Sequence, residues 1–166
     1  MTHLAYVSMG SNMGTAEDHL RNARAELNAH PDFKIAAVSS IYSTEPQGYK
    51  DQPWFMNQVV MLNCAESATP ESLLAFLLDT EKKLGRVRDK NNRFGPRCID
   101  LDLLLFDDLT RYSQELALPH PRMAERAFVL VPLVELQPAI RLPDGRRAAD
   151  ILKNLDFRLD HGKIFQ

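Results

Sequence analysis

The stretch CIDLDLLLF, residues 98–106, places two carboxylates, Asp100 and Asp102, inside an otherwise apolar run. Its first half alternates, so it reads as a β-strand, and successive side chains of a strand point to opposite faces. Asp100 and Asp102 therefore share one face, with Cα atoms about 7 Å apart from a rise of roughly 3.3 Å per residue. Leu101 and Leu103 take the other face. Leaving charge unpaired in a protein interior is expensive, so the acids constrain the fold twice over. The leucines need a core on one side, and the acids need water, a cationic partner or a bound cation on the other.

The remaining elements supply that core. HLAYVSMG reads as a first strand and ends in the turn-rich GSNMG, residues 10–14. TAEDHLRNARAELNAH follows as a helix, with Leu20, Ala23 and Leu27 at helical spacing and Glu17 and Asp18 in its first turn. FKIAAVSSIYS is a second strand, TEPQGYKDQP a loop broken by two prolines and a glycine, and WFMNQVVMLNCA a third strand. Thr69-Pro70 has the form of an N-cap followed by proline at the first helical position. The helix it opens sets Leu73, Leu77 and Leu84 on one face and closes at Gly85. After a basic loop comes the acidic strand. The order β-α-β-β-α-β predicts an α+β fold, a ferredoxin-like antiparallel sheet with helices packed on it. Residues 121–136 and 148–155 add short helices as extra C-terminal elements, and RLDHGKIFQ, residues 158–166, carries no motif. A chain of 166 residues fits one domain, taken as 1–166.

Composition narrows the classes of function. A net charge of −2 gives no bulk attraction for nucleic acid or for a membrane surface. No apolar run has the length of a membrane span, and the N-terminal residues lack the basic start and apolar core of a signal peptide. Cys64 and Cys98 are the only cysteines. With no CxxC or Cys/His ligand spacing they read as reduced packing residues of a cytoplasmic protein.

Chemistry has to come from local clusters. A bare D-x-D on a strand is most simply a solvated or arginine-paired face. Here, however, GRVRDKNNRFGPR delivers Arg86, Arg88, Arg93 and Arg97, with Lys90, directly into the acidic strand. Carboxylates that hold a hard cation beside guanidinium forks suit a metal–polyphosphate complex. LPHPRMAERAF contributes His120, Arg122 and Arg126 as a third basic segment. The loop TEPQGYKDQPWFMN mixes aromatics (Tyr49, Trp54, Phe55) with amides (Gln47, Gln52, Asn57), the pairing a flat heterocycle needs, though such aromatics also serve simply to plug a core. GSNMG lacks both the P-loop ending and the dinucleotide-fold spacing and reads as a tight turn. No GxSxG nucleophile elbow occurs, and nothing points to covalent catalysis.

Taken in order, GSNMG, YSTEPQGYKDQPWFMN, EKKLGRVR, RFGPRCIDLDLLLF and LPHPRMAERAFVLVPL resemble the 6-hydroxymethyl-7,8-dihydropterin pyrophosphokinases of folate biosynthesis, over roughly residues 5 to 135. The resemblance implies a Mg²⁺-dependent diphosphotransferase that moves diphosphate from ATP to the pterin hydroxymethyl group and releases AMP. It implies that Asp100 and Asp102 hold two Mg²⁺ ions bridging the ATP phosphates, Asp102 also lying near the substrate hydroxyl. Arg86 and Arg97 would grip the phosphates as catalytic groups, with Arg88, Arg93, His120 and Arg126 completing the ATP site. Phe55 and Phe128 would sandwich the pterin, and Thr44, Gln47 and Asn57 would read its edge. Phe94 stands where some members carry Trp.

The resemblance further implies ATP and the pterin as partners, a monomer, and neither nucleic acid nor membrane. Two other classes accommodate acids on such a sheet. A palm-type nucleotidyltransferase would release pyrophosphate instead of AMP. A non-catalytic regulatory module would bind its ligand without Mg²⁺-dependent consumption of ATP.

Overall fold

The computed structural model describes residues 3–85 and 98–166. Strand β1 (His3–Ser11) leads through Thr15 into helix α1 (Ala16–Ala29), and β2 (Phe33–Val38), β3 (Tyr42–Thr44) and β4 (Phe55–Cys64) follow. Helix α2 (Pro70–Lys83) precedes β5 (Asp100–Phe106). The rest comprises β6 (Arg111–Tyr112), β7 (Ala117–Leu118), a 3-10 turn (Met123–Glu125), α3 (Ala127–Leu136), α4 (Ala148–Lys153), β8 (Arg158–Asp160) and β9 (Lys163–Phe165).

Local signals explain where the helices begin. Thr69 caps α2 in a reciprocal box: its side chain accepts from the Ser72 amide while the Ser72 hydroxyl accepts from the Thr69 amide, with Pro70 just inside. In α1, Leu20, Ala23 and Leu27 are fully buried, as their spacing predicts, and Glu17 and Asp18 sit at the positive end of the helix dipole. Leu84 lies just past α2 as its C-cap, and Gly85 takes the left-handed conformation (φ 91°) that lets the chain leave the helix.

The fold is α+β, as expected. Strand β1 pairs antiparallel with β5 on one edge and β4 on the other, and β4 in turn pairs antiparallel with both β2 and β3. Helices α1 and α2 cover one face, where Ala5, Val7, Met9, Leu101 and Leu103 meet Leu20, Leu27, Leu73 and Leu77. Helices α3 and α4 cover the other face over Tyr6, Val59, Leu104 and Leu105. Each fully buried leucine or phenylalanine in these layers contributes about 1.5–3 kcal/mol relative to exposure. The alternation of β5 breaks where register slips between Tyr6 and Val7 of β1, a bulge that turns both Leu104 and Leu105 toward α3.

Two expectations change in detail. The single strand predicted over 33–43 is two strands, because Ser39 and Ser40 divert the backbone into side-chain bonds. The Ser39 hydroxyl accepts from the Val59 amide at 3.0 Å, and Glu135 of α3 accepts from the Ser40 amide at 2.8 Å and the Tyr42 hydroxyl at 2.5 Å. Burial first, then that carboxylate, pushes the Tyr42 phenol up to about 12. Residues 158–166 are a hairpin. His161 and Gly162 both have positive φ at its tip, as a two-residue turn of this hand requires, and β9 joins β3 in parallel.

Strand β5 is the edge of the sheet among the described residues, and its outward amides need acceptors. Glu81, only 3 % exposed on the last turns of α2, supplies one: its carboxylate accepts from the Leu101 amide at 2.9 Å. Glu81→Ala should cost about 1–3 kcal/mol by leaving that amide without its partner, and Glu81→Gln should cost less, since the amide oxygen can still accept. Urea unfolding midpoints check both.

At the far end of β1, His3 meets the Asp107 carboxylate through Nδ1 at 2.7 Å and the Glu66 carbonyl through Nε2 at 3.1 Å. Only the imidazolium can donate to both, and the Asp107 bond, followed by the Glu66 carbonyl, raises its pKa above 6.5. The contribution is therefore complete below pH 6.5 and disappears as pH rises through the raised folded-state value. The melting-temperature advantage of the wild type over His3→Gln should be largest in acid and shrink above neutrality. A difference independent of pH would remove the imidazolium from the account.

Candidate active site

Register places the site. Along one row of the sheet, Asp100 of β5 faces Gly10 of β1, which faces Asn57 of β4, which faces Tyr42 of β3. In the next row, Asp102 faces Ser8 and then Val59. Asp100 thus lies two strand spacings from Asn57, about 10 Å. Both carboxylates are partly buried and stand on the α3 side of the sheet, with Leu101 and Leu103 turned into the opposite core.

Gly10 makes this row possible. A Cβ there would stand 2.6 Å from Asn57 Oδ1 and 3.8 Å from Phe55 Cδ1. The absent side chain leaves the Asn57 amide free to turn toward β3, where its Nδ2 donates to the Thr44 hydroxyl at 2.5 Å. Asn57 and Thr44 are both buried, so their polar groups are held in one orientation. Phe55, beside them, is half-buried. Gln47 lies in the following loop with its amide 3.5 Å from the Glu45 carbonyl, and Tyr49 and Trp54 are more than a third exposed.

The segment 118–128 brings the basic residues over the acids. The His120 amide donates to the Leu104 carbonyl at 3.0 Å, docking this segment onto β5. His120 Nδ1 accepts from the Arg122 amide at 3.2 Å, so the neutral ring carries its proton on Nε2. Burial first, then Arg126, lowers its pKa to about 4, while Asp100 opposes them. Arg126 is likewise lowered chiefly by burial and is supported by Asp102 and Asp100. Its guanidinium lies 5.4 Å from the ring centre of Phe128, which opens α3.

Of the residues singled out in the sequence, Thr44, Phe55, Asn57, Asp100, Asp102, His120, Arg126 and Phe128 thus lie on neighbouring strands and the segment docked on them. Arg86, Arg88, Arg93, Phe94 and Arg97 lie outside the described residues. The sequence reading missed Glu81 and the spatial role of Gly10. Glu81 reads as one more acid near the end of an amphipathic helix, and only the tertiary fold brings it to the amide between the two aspartates. Gly10 does carry a signal, a glycine at the end of an apolar strand, but that signal equally marks a turn.

Such an arrangement can hold a hard divalent cation. Among the described residues no group of three or more His, Cys, Asp or Glu forms a protein-built cage. Two carboxylates on an open face fit an ion that takes its remaining ligands from water and substrate phosphates. No helix among these residues is long and apolar enough to cross a membrane.

The family model for 7,8-dihydro-6-hydroxymethylpterin-pyrophosphokinase (HPPK) matches residues 6–138. The 2-amino-4-hydroxy-6-hydroxymethyldihydropteridine pyrophosphokinase of Bacillus subtilis is 45% identical over 136 residues, covering 82% of this chain and 79% of that protein. The Pseudomonas aeruginosa protein of the same name is 40% identical over 157 residues, 95% of this chain and 94% of that one. A crystal structure of Plasmodium falciparum HPPK-DHPS superposes with a TM-score of 0.71 over 92% of this chain at 14% identity, which speaks to the fold. This chain spans 43% of that longer one. On the family match over residues 6–138 and the identity of 40–45% to the two bacterial relatives over most of the chain, the chain belongs to the 7,8-dihydro-6-hydroxymethylpterin-pyrophosphokinase family.

Proposed function

We propose that this chain transfers diphosphate from ATP to the hydroxymethyl group of 6-hydroxymethyl-7,8-dihydropterin, giving the pterin diphosphate and AMP in tetrahydrofolate biosynthesis. The observation that carries the reading is the single row across the sheet. It puts Asp100, with Asp102 two residues along the same strand, at one end and Asn57, bonded to the buried Thr44, at the other, about 10 Å apart, with the side-chain-free Gly10 between them. A flat heterocycle read at Asn57 and Thr44 directs its hydroxymethyl arm toward the acids.

In the reaction the hydroxyl oxygen forms a bond to the β-phosphorus and the bond from that phosphorus to the α-bridging oxygen breaks. AMP leaves with the electron pair, and the hydroxyl proton passes to water. Transfer of this kind depends on alignment and charge neutralisation. Asp100 and Asp102 would hold Mg²⁺, two ions in this reading, and the metal would neutralise and align the phosphate oxygens. Arg126, partly buried and facing both carboxylates, would pair with the phosphate charge that the nucleotide brings. His120, kept neutral, would donate from Nε2 to an acceptor on the nucleotide. Phe55 and Phe128 would supply aromatic faces to the pterin, and Gln47 a further amide at its edge. The arginines at 86, 88, 93 and 97 enter this reading from their place in the sequence, as cations to grip the phosphates and cover the loaded site.

AMP should appear from ATP only when the pterin and Mg²⁺ are both supplied. Release of pyrophosphate would instead indicate nucleotidyl transfer, and ligand binding without ATP consumption would indicate a regulatory module. Asp100→Ala and Asp102→Ala should each lower turnover by about 100-fold or more at saturating Mg²⁺. Their melting temperatures should stay close to wild type, since removing one of two like charges need not destabilise a fold. Near-normal turnover in either variant would discard the metal assignment.

A further inference from the structure

The hairpin β8–β9 lies beyond residue 138, where the family match ends, and no motif marks it in the sequence. Its last four residues nevertheless each meet a different part of the candidate site. Lys163 and Ile164 pair in parallel with Ser43 and Thr44, and the Ile164 carbonyl accepts from the Glu45 amide at 3.4 Å. Buried Ile164 also packs in the cluster that includes Tyr42 and Phe128. The Phe165 ring stands edge-on to Trp54, 5.1 Å between centres, next to Phe55 in the chain. The Gln166 amide closes the set: its oxygen accepts from the Ala127 amide at 2.9 Å and its nitrogen donates to the Glu125 carbonyl at 2.7 Å.

Those two Gln166 bonds flank Arg126 and immediately precede Phe128. Of the site's walls, Thr44 and Phe55 are already cross-strand partners in the β3–β4 pair, and Phe128 stands outside that pair. Thr44 belongs to a three-residue strand and Phe55 begins β4 after a loop, while Phe128 sits on the first turn of α3. The chain entering α3 has no side-chain cap of its own, so the Gln166 oxygen satisfies one of the amides that a helix start leaves open. A short strand, a loop and a helix entry are thus bound to one β-ribbon.

We propose that hairpin 158–166 is a positioning element for the heterocycle site, and that Gln166 sets where Phe128 stands relative to Thr44 and Phe55. This rests on the pterin reading given above and assigns a role to a segment outside the family-matched region. Gln166 does not touch the substrate; it acts through the backbone at 125–127. Asp100 and Asp102, on the far side of β1, make no contact with the hairpin, whereas Arg126 lies between the two Gln166 bonds, so the phosphate end feels the hairpin only through Arg126.

Steady-state AMP formation with each substrate varied separately tests the proposal. Gln166→Ala should raise KM for the pterin about three- to tenfold, the worth of one or two lost hydrogen bonds, with a smaller rise in KM for ATP through Arg126. Gln166→Glu keeps the acceptor for the Ala127 amide and loses the donor to Glu125, so it should fall between the two. Because Gln166 is exposed, melting temperatures should barely change. The proposal is overturned if KM for the pterin stays within twofold in Gln166→Ala, or if both KM values rise equally with a falling melting temperature, which would mark general loosening. Absence of AMP formation in the wild type is a separate result: it removes the diphosphotransfer reading, and the positioning role goes with it.

Discussion

Strand β1 hydrogen-bonds to β5 along one edge and to β4 along the other, and it is covered by helices on both faces. From Ala5 to Ser11 every residue is buried. A strand in this position cannot slip by one residue without turning its whole apolar set to the wrong face. That double pairing therefore sets the rows that define the site. It puts Gly10 between Asp100 and Asn57, and it holds the two acids on the α3 side while their leucine neighbours enter the α1/α2 core. The question raised by acids in an apolar strand is answered by register.

The second consequence of burial is that polar groups near the core are paired, and the pairings double as architecture. Glu81 closes the open edge of β5 at the amide between the two aspartates. Glu135 gathers Ser40 and Tyr42 at the corner where β2 gives way to β3. Both are carboxylates on helices, one on each side of the sheet: Glu81 reaches the Leu101 amide of β5, and Glu135 reaches the Ser40 amide between β2 and β3. Glu81 thus ties β5 to α2, and Glu135 ties the start of β3 to α3.

Much of this fold was legible in the residues. The N-cap at Thr69 with Pro70 behind it and the buried face Leu20–Ala23–Leu27 are local devices whose physics involves only neighbours in sequence, and they appear where the pattern places them. The acid pair was also recognisable, because strand alternation assigns faces without reference to the rest of the chain, whereas Thr44 entered only through the family resemblance and its bond to Asn57 is tertiary. The break at Ser39-Ser40 was not. A run of β-branched and small residues reads as continuous strand, and the competing acceptor, Glu135, lies 95 residues away in the chain. Glu81 and hairpin 158–166 were missed for the same reason: their partners at Leu101, Thr44 and Ala127 are remote in sequence.

The sequence by itself determined the segment order, the faces of the strands and the kinds of group available for chemistry, because those follow from period, capping and side-chain type. Tertiary structure alone decided which of those groups meet. The distance from Asp100 to Asn57 is a count of strand spacings across β1. The segment that carries His120 and Arg126 is docked on β5 by the backbone bond from His120 to Leu104, and Gln166 bonds the backbone at 125 and 127 just before Phe128. These are contacts between residues far apart in the chain, fixed only when both faces of the sheet are packed.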